Sequence, residues 1–242
     1  MHIFIFRVIR VPAFYSGSSK LYLKPQDDFP MNLREFKELP LLGILRGITK
    51  EQIEPLTQAV VSAGLRTLEI TMNTPGACAC IKALRTAAGK SLTVGAGTVL
   101  TIADLRSALK SGAEFIVSPV YIPKIVAYCV KNKIPVFPGA LTPQEIYTAW
   151  ESGASMVKVF PAKFFGPEYF KEVKAPLNKV ELLACGGVSA QNAHEFFAAG
   201  ASAVAFGASV FKKEWFEKKE FENIEQAVKE MVEATRSAKE IA

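Results

Sequence analysis

The sequence lacks the features of several classes of protein. No apolar run in its 242 residues is long enough to span a membrane. Its net charge of +6 is spread along the chain without basic runs or interleaved aromatic residues, which favours a small anionic ligand over a nucleic acid. The four cysteines lack zinc-site spacing, since Cys78 and Cys80 would face different sides of one helix. We therefore expect buried thiols in a reducing compartment, the cytoplasm, and no metal or cofactor.

The composition, 50% hydrophobic and 21% charged, is that of an ordinary globular domain. Residues 1–30 fit it poorly, because their short apolar start is interrupted by Arg7 and Arg10 and followed by a polar, loop-like stretch. We expect a loosely ordered extension, or a start assigned too early with Met31 as the true initiator; an organelle transit peptide is the alternative. Residues 31–242 are expected to form the domain.

One unit recurs through the domain: a short apolar strand, a polar or glycine-bearing end, and then a capped helix. The predicted strands are 41–45, 67–70, 92–96, 114–117, 135–139, 156–160, 181–184 and 201–206. The predicted helix starts are the capping boxes Thr49–Gln52 and Thr142–Glu145, and the caps Thr74 (followed by Pro75), Thr101 and Ser189. Short helices are also expected near residues 32–38, before the first strand, and 224–241, at the end.

Eight such units in one α/β domain predict a single (β/α)8 TIM barrel with an N-terminal helix and a C-terminal helix. A doubly wound sheet is the alternative. It is less favoured because the spacing is even and no long crossover marks a reversal of strand order. In a barrel, functional residues gather where the strands end, which is where Arg46, Glu69, Thr98 and Ser118 fall.

A single lysine lies inside the apolar sixth strand. Because successive strand residues point to opposite faces, Met156, Lys158 and Phe160 share one face. Burial among apolar neighbours would lower the pKa of the Lys158 ammonium and free the amine to attack a carbonyl. The alternative is a lysine that extends to solvent to hold an anion.

A carboxylate occupies the corresponding place in the second strand. Glu69 points away from Leu68 and Ile70, so the barrel would bring it towards Lys158. An amine that attacks a ketone needs a group to move protons near neutral pH, and a buried carboxylate suits that role. A structural ion pair is the alternative reading.

Glycine turns follow the last two strands, at Gly186, Gly187 and Gly207. In a barrel of this type the loops after strands seven and eight often bind phosphate through backbone N–H groups near helix starts. Tight turns without a ligand are the alternative.

Several motifs, in order along the chain, resemble those of the 2-keto-3-deoxy-6-phosphogluconate (KDPG) and 4-hydroxy-2-oxoglutarate (KHG) aldolases. They are Leu45-Arg-Gly47, Leu68-Glu-Ile-Thr71, Val94-Gly-Ala-Gly-Thr98, Ile116-Val-Ser-Pro119, Val157-Lys-Val-Phe-Pro161, Phe165-Gly-Pro167 and Gly186-Gly-Val188. The resemblance implies a class I aldolase with Lys158 as the Schiff-base lysine and Glu69 as the general acid/base. It also implies that Arg46 and Thr98 anchor the substrate, that the glycine turns bind phosphate, and that the enzyme is a homotrimer.

The sequence departs from the family pattern at three places. Asn73 stands where many members carry arginine, Cys185 where they carry threonine, and Ala208 where a serine is usual. The Asn-Thr-Pro sequence at residues 73–75 is similar to the 2-keto-3-deoxy-6-phosphogalactonate branch. We count Asn73 and Cys185 among the substrate-binding residues and leave the configuration of the substrate open.

The expected function is cleavage of a 2-keto-3-deoxy-6-phospho sugar acid to pyruvate and an aldehyde such as glyceraldehyde 3-phosphate. Neither a membrane nor a nucleic acid is expected as a partner. One alternative is a phosphate-binding barrel isomerase or epimerase in which Lys158 only holds an anion. The other is a barrel without catalytic activity that binds a sugar phosphate.

Overall fold

Nine parallel strands form a nearly closed barrel at the centre of the protein, for which a computed structural model describes residues 30–241. The strands are β1 (Leu41–Leu45), β2 (Thr67–Thr71), β3 (Thr93–Gly97), β4 (Ile116–Val117), β5 (Val136–Phe137), β6 (Gly139–Ala140), β7 (Val157–Val159), β8 (Leu182–Cys185) and β9 (Ala203–Phe206). Apart from Pro30, the extension expected over residues 1–30 lies outside the described residues, and it stays a prediction.

The barrel is closed through one strand that changes partners at Pro138. The hydrogen-bonded order is β5-β4-β3-β2-β1-β9-β8-β7-β6, and its two ends, β5 and β6, are separated by Pro138 alone. Proline has no N–H for a sheet ladder, so the predicted fifth strand is split there. Counting β5 and β6 as one divided strand gives the eight of the (β/α)8 prediction, which is confirmed. The doubly wound alternative was wrong, because the order runs round the ring without reversal.

Helices between the strands cover the outside of the barrel. They are α1 (Leu33–Glu38), α2 (Ile53–Ser62), α3 (Ala77–Ala88), α4 (Ile102–Lys110), α5 (Pro123–Lys131), α6 (Pro143–Glu151), α7 (Gly166–Lys174), α8 (Ala193–Ala198), α9 (Lys213–Lys218) and α10 (Phe221–Ile241). The capping boxes at Thr49 and Thr142 are confirmed, as is the Thr101 cap. The Thr49 box opens a short 3-10 turn, Lys50–Gln52, directly before α2.

Two predicted helix starts were wrong. The hydroxyl of Thr74 accepts a hydrogen bond from the N–H of Gly47 at 3.0 Å, and α3 begins only after Gly76, which takes a positive φ of 70°. Ser189 does not cap α8; its own N–H donates to the side chain of Asn192, which precedes that helix. Both side chains are used in loop contacts that local sequence does not specify. Helix α9 had no counterpart in the sequence prediction.

Successive side chains of each strand point alternately out of the barrel and into it. The sheet therefore has one apolar layer on its outer face and another on its inner face. The outer layer packs between sheet and helices and includes Leu68, Ile70, Val157 and Val159. The inner layer fills the barrel, and its members include Leu42, Phe115, Val117, Phe137, Met156, Leu183, Cys185, Ala203 and Ala205.

Helix α1 closes the end of the barrel where the strands begin. The ring of Phe36 stacks on that of Phe137 with 5.8 Å between centroids, and the N–H of Met31 donates to the carbonyl of Glu114 just before β4. Burying a side chain of this size stabilises the fold by about 1.5–3 kcal/mol. Because α1 fills the end of the barrel where the strands begin, the polar part of the interior lies at the opposite end, where the strands finish.

Candidate active site

Lys158 and Glu69 both point into the barrel, as their strand alternation predicted. Lys158 is 6% exposed and Glu69 is 1% exposed, while their strand neighbours pack in the outer apolar layer. In the sheet, Lys158 lies opposite Gly139 and Leu183, and Glu69 lies opposite Gly95. The two side chains come from separate parts of the ring, yet each influences the ionisation of the other.

The pKa of Lys158 is raised, which contradicts the prediction that burial would lower it. Burial disfavours the ammonium, but electrostatic attraction to Cys185, which also accepts a hydrogen bond from the ammonium, and to Glu69 outweighs this effect. The ring of Phe160 adds a favourable face for the cation, with its centroid 5.3 Å from Nζ. The lysine therefore rests as an ammonium and needs a proton acceptor before it can act as a nucleophile.

Glu69 has the properties of such an acceptor. Burial raises its pKa to about 7, although the positive charges of Lys158 and Arg46 oppose the shift. Its Oε2 atom is buried and has no hydrogen-bond partner among the described residues. A carboxyl group that titrates near neutrality and keeps an unused oxygen is suited to exchanging protons with a bound molecule.

Three further predicted residues lie in the loops just beyond the strand ends. Arg46 is exposed directly after β1, and its charge reaches both Glu69 and Lys158. Thr98 follows β3 in a left-handed conformation, with φ of 54°, and its hydroxyl forms no hydrogen bond with another described residue. A β-branched residue is strained in that conformation, and strain of this kind is concentrated at functional sites. Asn73 is exposed in the loop after β2.

Cys185 lies at the end of β8 and is 3% exposed. Burial raises the pKa of its thiol, although the charge of Lys158 opposes the shift. The sequence placed Cys185 among the substrate-binding residues. In the structure its side chain also forms a hydrogen bond with Lys158.

The glycine turns form a second region of the site with unused backbone donors. Gly186 and Gly187 have φ values of 96° and 84°, which favour glycine. Within residues 30–241, the backbone N–H groups of residues 186–188 and 207–209 have no hydrogen-bond acceptor. The hydroxyl of Ser209 donates to the carbonyl of Val188 at 2.9 Å, so the two loops are joined.

The expectation that helix starts support these turns was wrong. After the Gly186–Gly187 turn the next helix, α8, begins at Ala193, and after Gly207 the next helix, α9, begins at Lys213. Both helices have only six residues. Any anion held here is therefore bound by the loops themselves.

The structure adds three residues that the sequence reasoning did not place in the site: Phe160, Gly97 and Lys163. Phe160 faces the lysine and is 37% exposed. The strand alternation had placed Phe160 on the same face as Lys158, but without a role in the site. Gly97 borders the carboxyl group of Glu69, and Lys163 lies against Gly187. These two contacts join different strands or loops, so no local sequence signal indicates them.

A large cavity lies away from the barrel mouth. A groove of about 970 Å³ between α2 and α3 is lined mainly by residues of those helices, and none of the predicted site residues borders it. Size alone is therefore a poor guide in this protein, and the convergence of buried ionisable groups identifies the barrel mouth instead. Within the described part of the chain, no cluster of three or more His, Cys, Asp or Glu side chains is arranged to bind a metal. Residues 30–241 also contain no helix with the length and apolar character needed to cross a membrane.

Comparison with protein families and curated relatives gives consistent matches. The family model described as "Aldolase: KDPG and KHG aldolase" matches residues 33–227. The 2-dehydro-3-deoxy-6-phosphogalactonate aldolase of Escherichia coli (strain K12) is 35% identical over 176 residues, which are 72% of this chain and 86% of the relative. The 2-dehydro-3-deoxy-phosphogluconate aldolase of Treponema pallidum (strain Nichols) is 35% identical over 167 residues, or 67% of this chain and 79% of that protein.

Solved structures share the fold. One described as "Native KDPGal structure" superposes with a TM-score of 0.78 at 33% identity, covering 84% of this chain and 97% of its own. A cube-shaped protein cage, designed by fusing symmetric oligomeric domains, gives the same score and identity over 84% of this chain and 74% of its own.

Proposed function

We propose a Schiff-base aldolase reaction for this chain, which belongs to the KDPG and KHG aldolase family. The chain is an aldolase, a carbon–carbon lyase. The proposed reaction cleaves a 2-keto-3-deoxy-6-phospho sugar acid reversibly to pyruvate and glyceraldehyde 3-phosphate, without a metal or a cofactor.

The observation that carries the proposal is the buried pair of Lys158 and Glu69. An amine and a carboxyl group that titrates near pH 7 share one closed barrel interior, and the carboxyl group retains an unpaired oxygen. In a structural ion pair the polar atoms of both side chains usually have hydrogen-bond partners, because a buried oxygen without one costs free energy of folding. The unpaired Oε2 therefore favours a catalytic pair over a structural one.

Glu69 first accepts a proton from the Lys158 ammonium, because the raised pKa of the lysine leaves little free amine near neutrality. The amine nitrogen then attacks C2 of the substrate, and the ketone oxygen takes up a proton to give a carbinolamine. Glu69 protonates the departing hydroxyl, water leaves, and an iminium ion forms.

The iminium ion withdraws the electron pair of the C3–C4 bond. As that bond breaks, Glu69, directly or through a water molecule, removes the proton of the C4 hydroxyl, and the aldehyde departs. Glu69 then gives this proton, directly or through water, to C3 of the remaining enamine, and water adds to the carbon of the resulting iminium ion. Pyruvate is released, and the amine and the acid/base return to their initial states.

Arg46 and Thr98 anchor the carboxylate of the substrate in this proposal. The charge of Arg46 acts on both central residues, and the strained backbone of Thr98 holds an unused hydroxyl beside the mouth. Phe160 provides an apolar face for the pyruvyl group and stabilises the positive iminium nitrogen. The unused N–H groups of residues 186–188 and 207–209 bind the phosphate.

Asn73 and Cys185 select the configuration at C4. Curated relatives of similar identity act on either the phosphogalactonate or the phosphogluconate substrate. The two substrates differ at this carbon, and side chains bordering the mouth contact its hydroxyl. The resemblance of the Asn-Thr-Pro sequence at residues 73–75 to the phosphogalactonate branch supports a preference for the galactonate type.

We further propose a homotrimer located in the cytoplasm. The designed cage that this chain resembles was assembled from symmetric oligomeric domains. Large apolar side chains are exposed on loops beyond the strand ends, including Val120, Phe164 and Phe165, and such side chains are typical of subunit contacts. The four cysteines are free thiols, as in a reducing compartment. A monomer mass from light scattering at micromolar concentration would exclude the trimer.

Borohydride trapping tests the chemistry. Pyruvate together with borohydride should inactivate the enzyme irreversibly, and peptide mapping should find one reduced adduct, on Lys158. Lys158→Arg retains the charge but cannot form an imine, so it should remain folded and lose essentially all turnover. Lys171→Arg, on the exposed face of α7, is the matched control and should behave as wild type.

The alternatives predict different results. If Lys158 only held an anion, as in a phosphate-binding isomerase or epimerase, borohydride would label no lysine and Lys158→Arg would keep measurable activity. A sugar-phosphate-binding barrel without catalysis would bind substrate and release no pyruvate. Either outcome would overturn the aldolase mechanism.

A further inference from the structure

Lys163 packs directly against the glycine turn that follows β8. A Cβ atom placed on Gly187 would lie 2.5 Å from the Cβ and 3.4 Å from the Cα of Lys163. Gly186 is similarly close to the preceding residues, since its Cβ would lie 3.4 Å from the Cα of Pro161. The loop after β7 therefore places the base of the Lys163 side chain beside the turn and its unused N–H groups.

No structural role in the described chain accounts for the Lys163 ammonium. The residue is exposed and forms no ion pair with any described residue; its recorded contact lies over the ring of Phe164, 5.0 Å from the centroid. Other lysines of this part of the chain are engaged: Lys171 pairs with Glu168 at 3.3 Å, and Lys174 donates to two backbone carbonyls. Lys163 thus retains its donors for a ligand.

The adjoining loops have donors but little positive charge. Ala208 supplies no hydroxyl, and the hydroxyl of Ser209 is already used to donate to Val188. Backbone N–H groups remain, at residues 186–188 and 207–209. A phosphate dianion bound by neutral donors alone would gain from a nearby cation, because opposite charges attract at short range and an ammonium also donates a charge-assisted hydrogen bond.

We propose that Lys163 is the cation that binds the distal phosphate of the substrate and makes the enzyme selective for phosphorylated over unphosphorylated sugar acids. This inference rests on the proposed aldolase function and adds a residue to it. The flexible four-carbon side chain packs its Cβ against Gly187 and holds its ammonium over Phe164, and rotation about its side-chain bonds carries the ammonium to a phosphate bound at the turn. It contributes to binding of the substrate and of the transition state alike, because the phosphate is remote from the bond that breaks.

The test compares Lys163→Gln with Lys171→Gln, which removes the same charge from the exposed face of α7. Each variant is assayed with a 2-keto-3-deoxy-6-phospho sugar acid and with the same sugar acid without phosphate. For Lys163→Gln we expect the KM of the phosphorylated substrate to rise about tenfold with little change in kcat, the size of one charged hydrogen bond. The KM of the unphosphorylated substrate should stay within about twofold. Lys171→Gln should leave both values unchanged.

Two additional measurements make the result decisive. Inorganic phosphate should inhibit the wild type competitively and Lys163→Gln more weakly, and Lys163→Arg should restore most of the affinity, because arginine also binds phosphate. Equal KM values for Lys163→Gln and Lys171→Gln, or equal effects on both substrates, would overturn the role of Lys163. Borohydride trapping of Lys158 in the same preparations separates the two proposals: loss of the Lys158 adduct refutes the aldolase mechanism, whereas its presence with an unchanged KM refutes only the role of Lys163.

Discussion

Gly97 leaves open the space that the carboxyl group of Glu69 occupies. A Cβ atom on Gly97 would overlap Oε1 of Glu69 and lie 2.6 Å from its Cδ. Gly97 is paired with Thr71 in the sheet, so the Glu69 side chain leans towards the ends of the strands, where a substrate would enter. The glycine in the third strand thus fixes where the carboxyl group of Glu69, in the second strand, can lie.

Gly97→Ala should displace the Glu69 carboxyl group and leave the fold intact, because the overlapping atoms belong to the end of a flexible side chain. We expect kcat to fall by about 10²-fold, the low end of a general acid/base contribution. Steady-state kinetics across pH 5–9 would measure the loss. The pH dependence should change in the same sense as in Glu69→Gln.

Gly43→Ala is the control for that experiment. A Cβ on Gly43 would lie 2.6 Å from Cδ1 of Leu68, in the layer between sheet and helices, away from the site. Overpacking there should cost about 1–3 kcal/mol of stability and leave the pH profile unchanged. If Gly97→Ala lowered the melting temperature as much and kept wild-type kcat, Gly97 would have a packing role only.

Glu69 should make the stability of the protein depend on pH. Its pKa is raised from 4.5 to about 7 by burial. A raised carboxyl pKa stabilises the fold while the group is protonated, so this contribution is complete below pH 4.5 and is lost as pH rises through about 7. Over that range the wild type should lose up to about 3 kcal/mol relative to Glu69→Gln. Urea unfolding of both proteins at pH 5 and pH 8 would measure the difference, and parallel behaviour would contradict the raised pKa.

Cys185→Thr should change the preference between C4 epimers. A threonine hydroxyl hydrogen-bonds a substrate hydroxyl better than a thiol does, and a polar group left unpaired costs about 1–3 kcal/mol. We expect the ratio of kcat/KM between gluconate-type and galactonate-type substrates to shift by about tenfold or more. Cys78→Thr, on the half-buried side of α3, is the matched control. An unchanged ratio would remove Cys185 from the specificity argument.

A shortened chain that begins at Met31 should keep full activity and melting temperature. Met31 is 6% exposed and its N–H donates to Glu114, so the described fold starts with this residue. A chain that begins at Leu39 also removes Phe36, which stacks on Phe137, and should be destabilised by about 3–5 kcal/mol. Kinetics and thermal unfolding of both chains would test this. A large loss for the Met31 chain would show that residues before it contribute to the domain.

The sequence predicted the elements whose signals are local. Alternation along a strand depends only on backbone stereochemistry, and it correctly assigned Lys158 and Glu69 to one face and Val157 and Leu68 to the other. The Thr101 and Thr142 caps were also predicted, because a cap and its N–H partner lie within one turn of helix. Together with the repeated strand-and-helix unit, these local signals were sufficient to predict the barrel fold.

The tertiary structure decided whatever depends on residues far apart in the chain. Thr74 bonds to Gly47 rather than capping a helix, and the fifth strand changes partners at Pro138 because the ring has to close. The pKa of Lys158 rises because Cys185 and Glu69, contributed by other strands, outweigh the burial that its own strand predicts. Lys163 meets Gly187 only where two loops pack together. Electrostatic and packing energies depend on distances in space, and the order of residues does not determine those distances until the chain has folded.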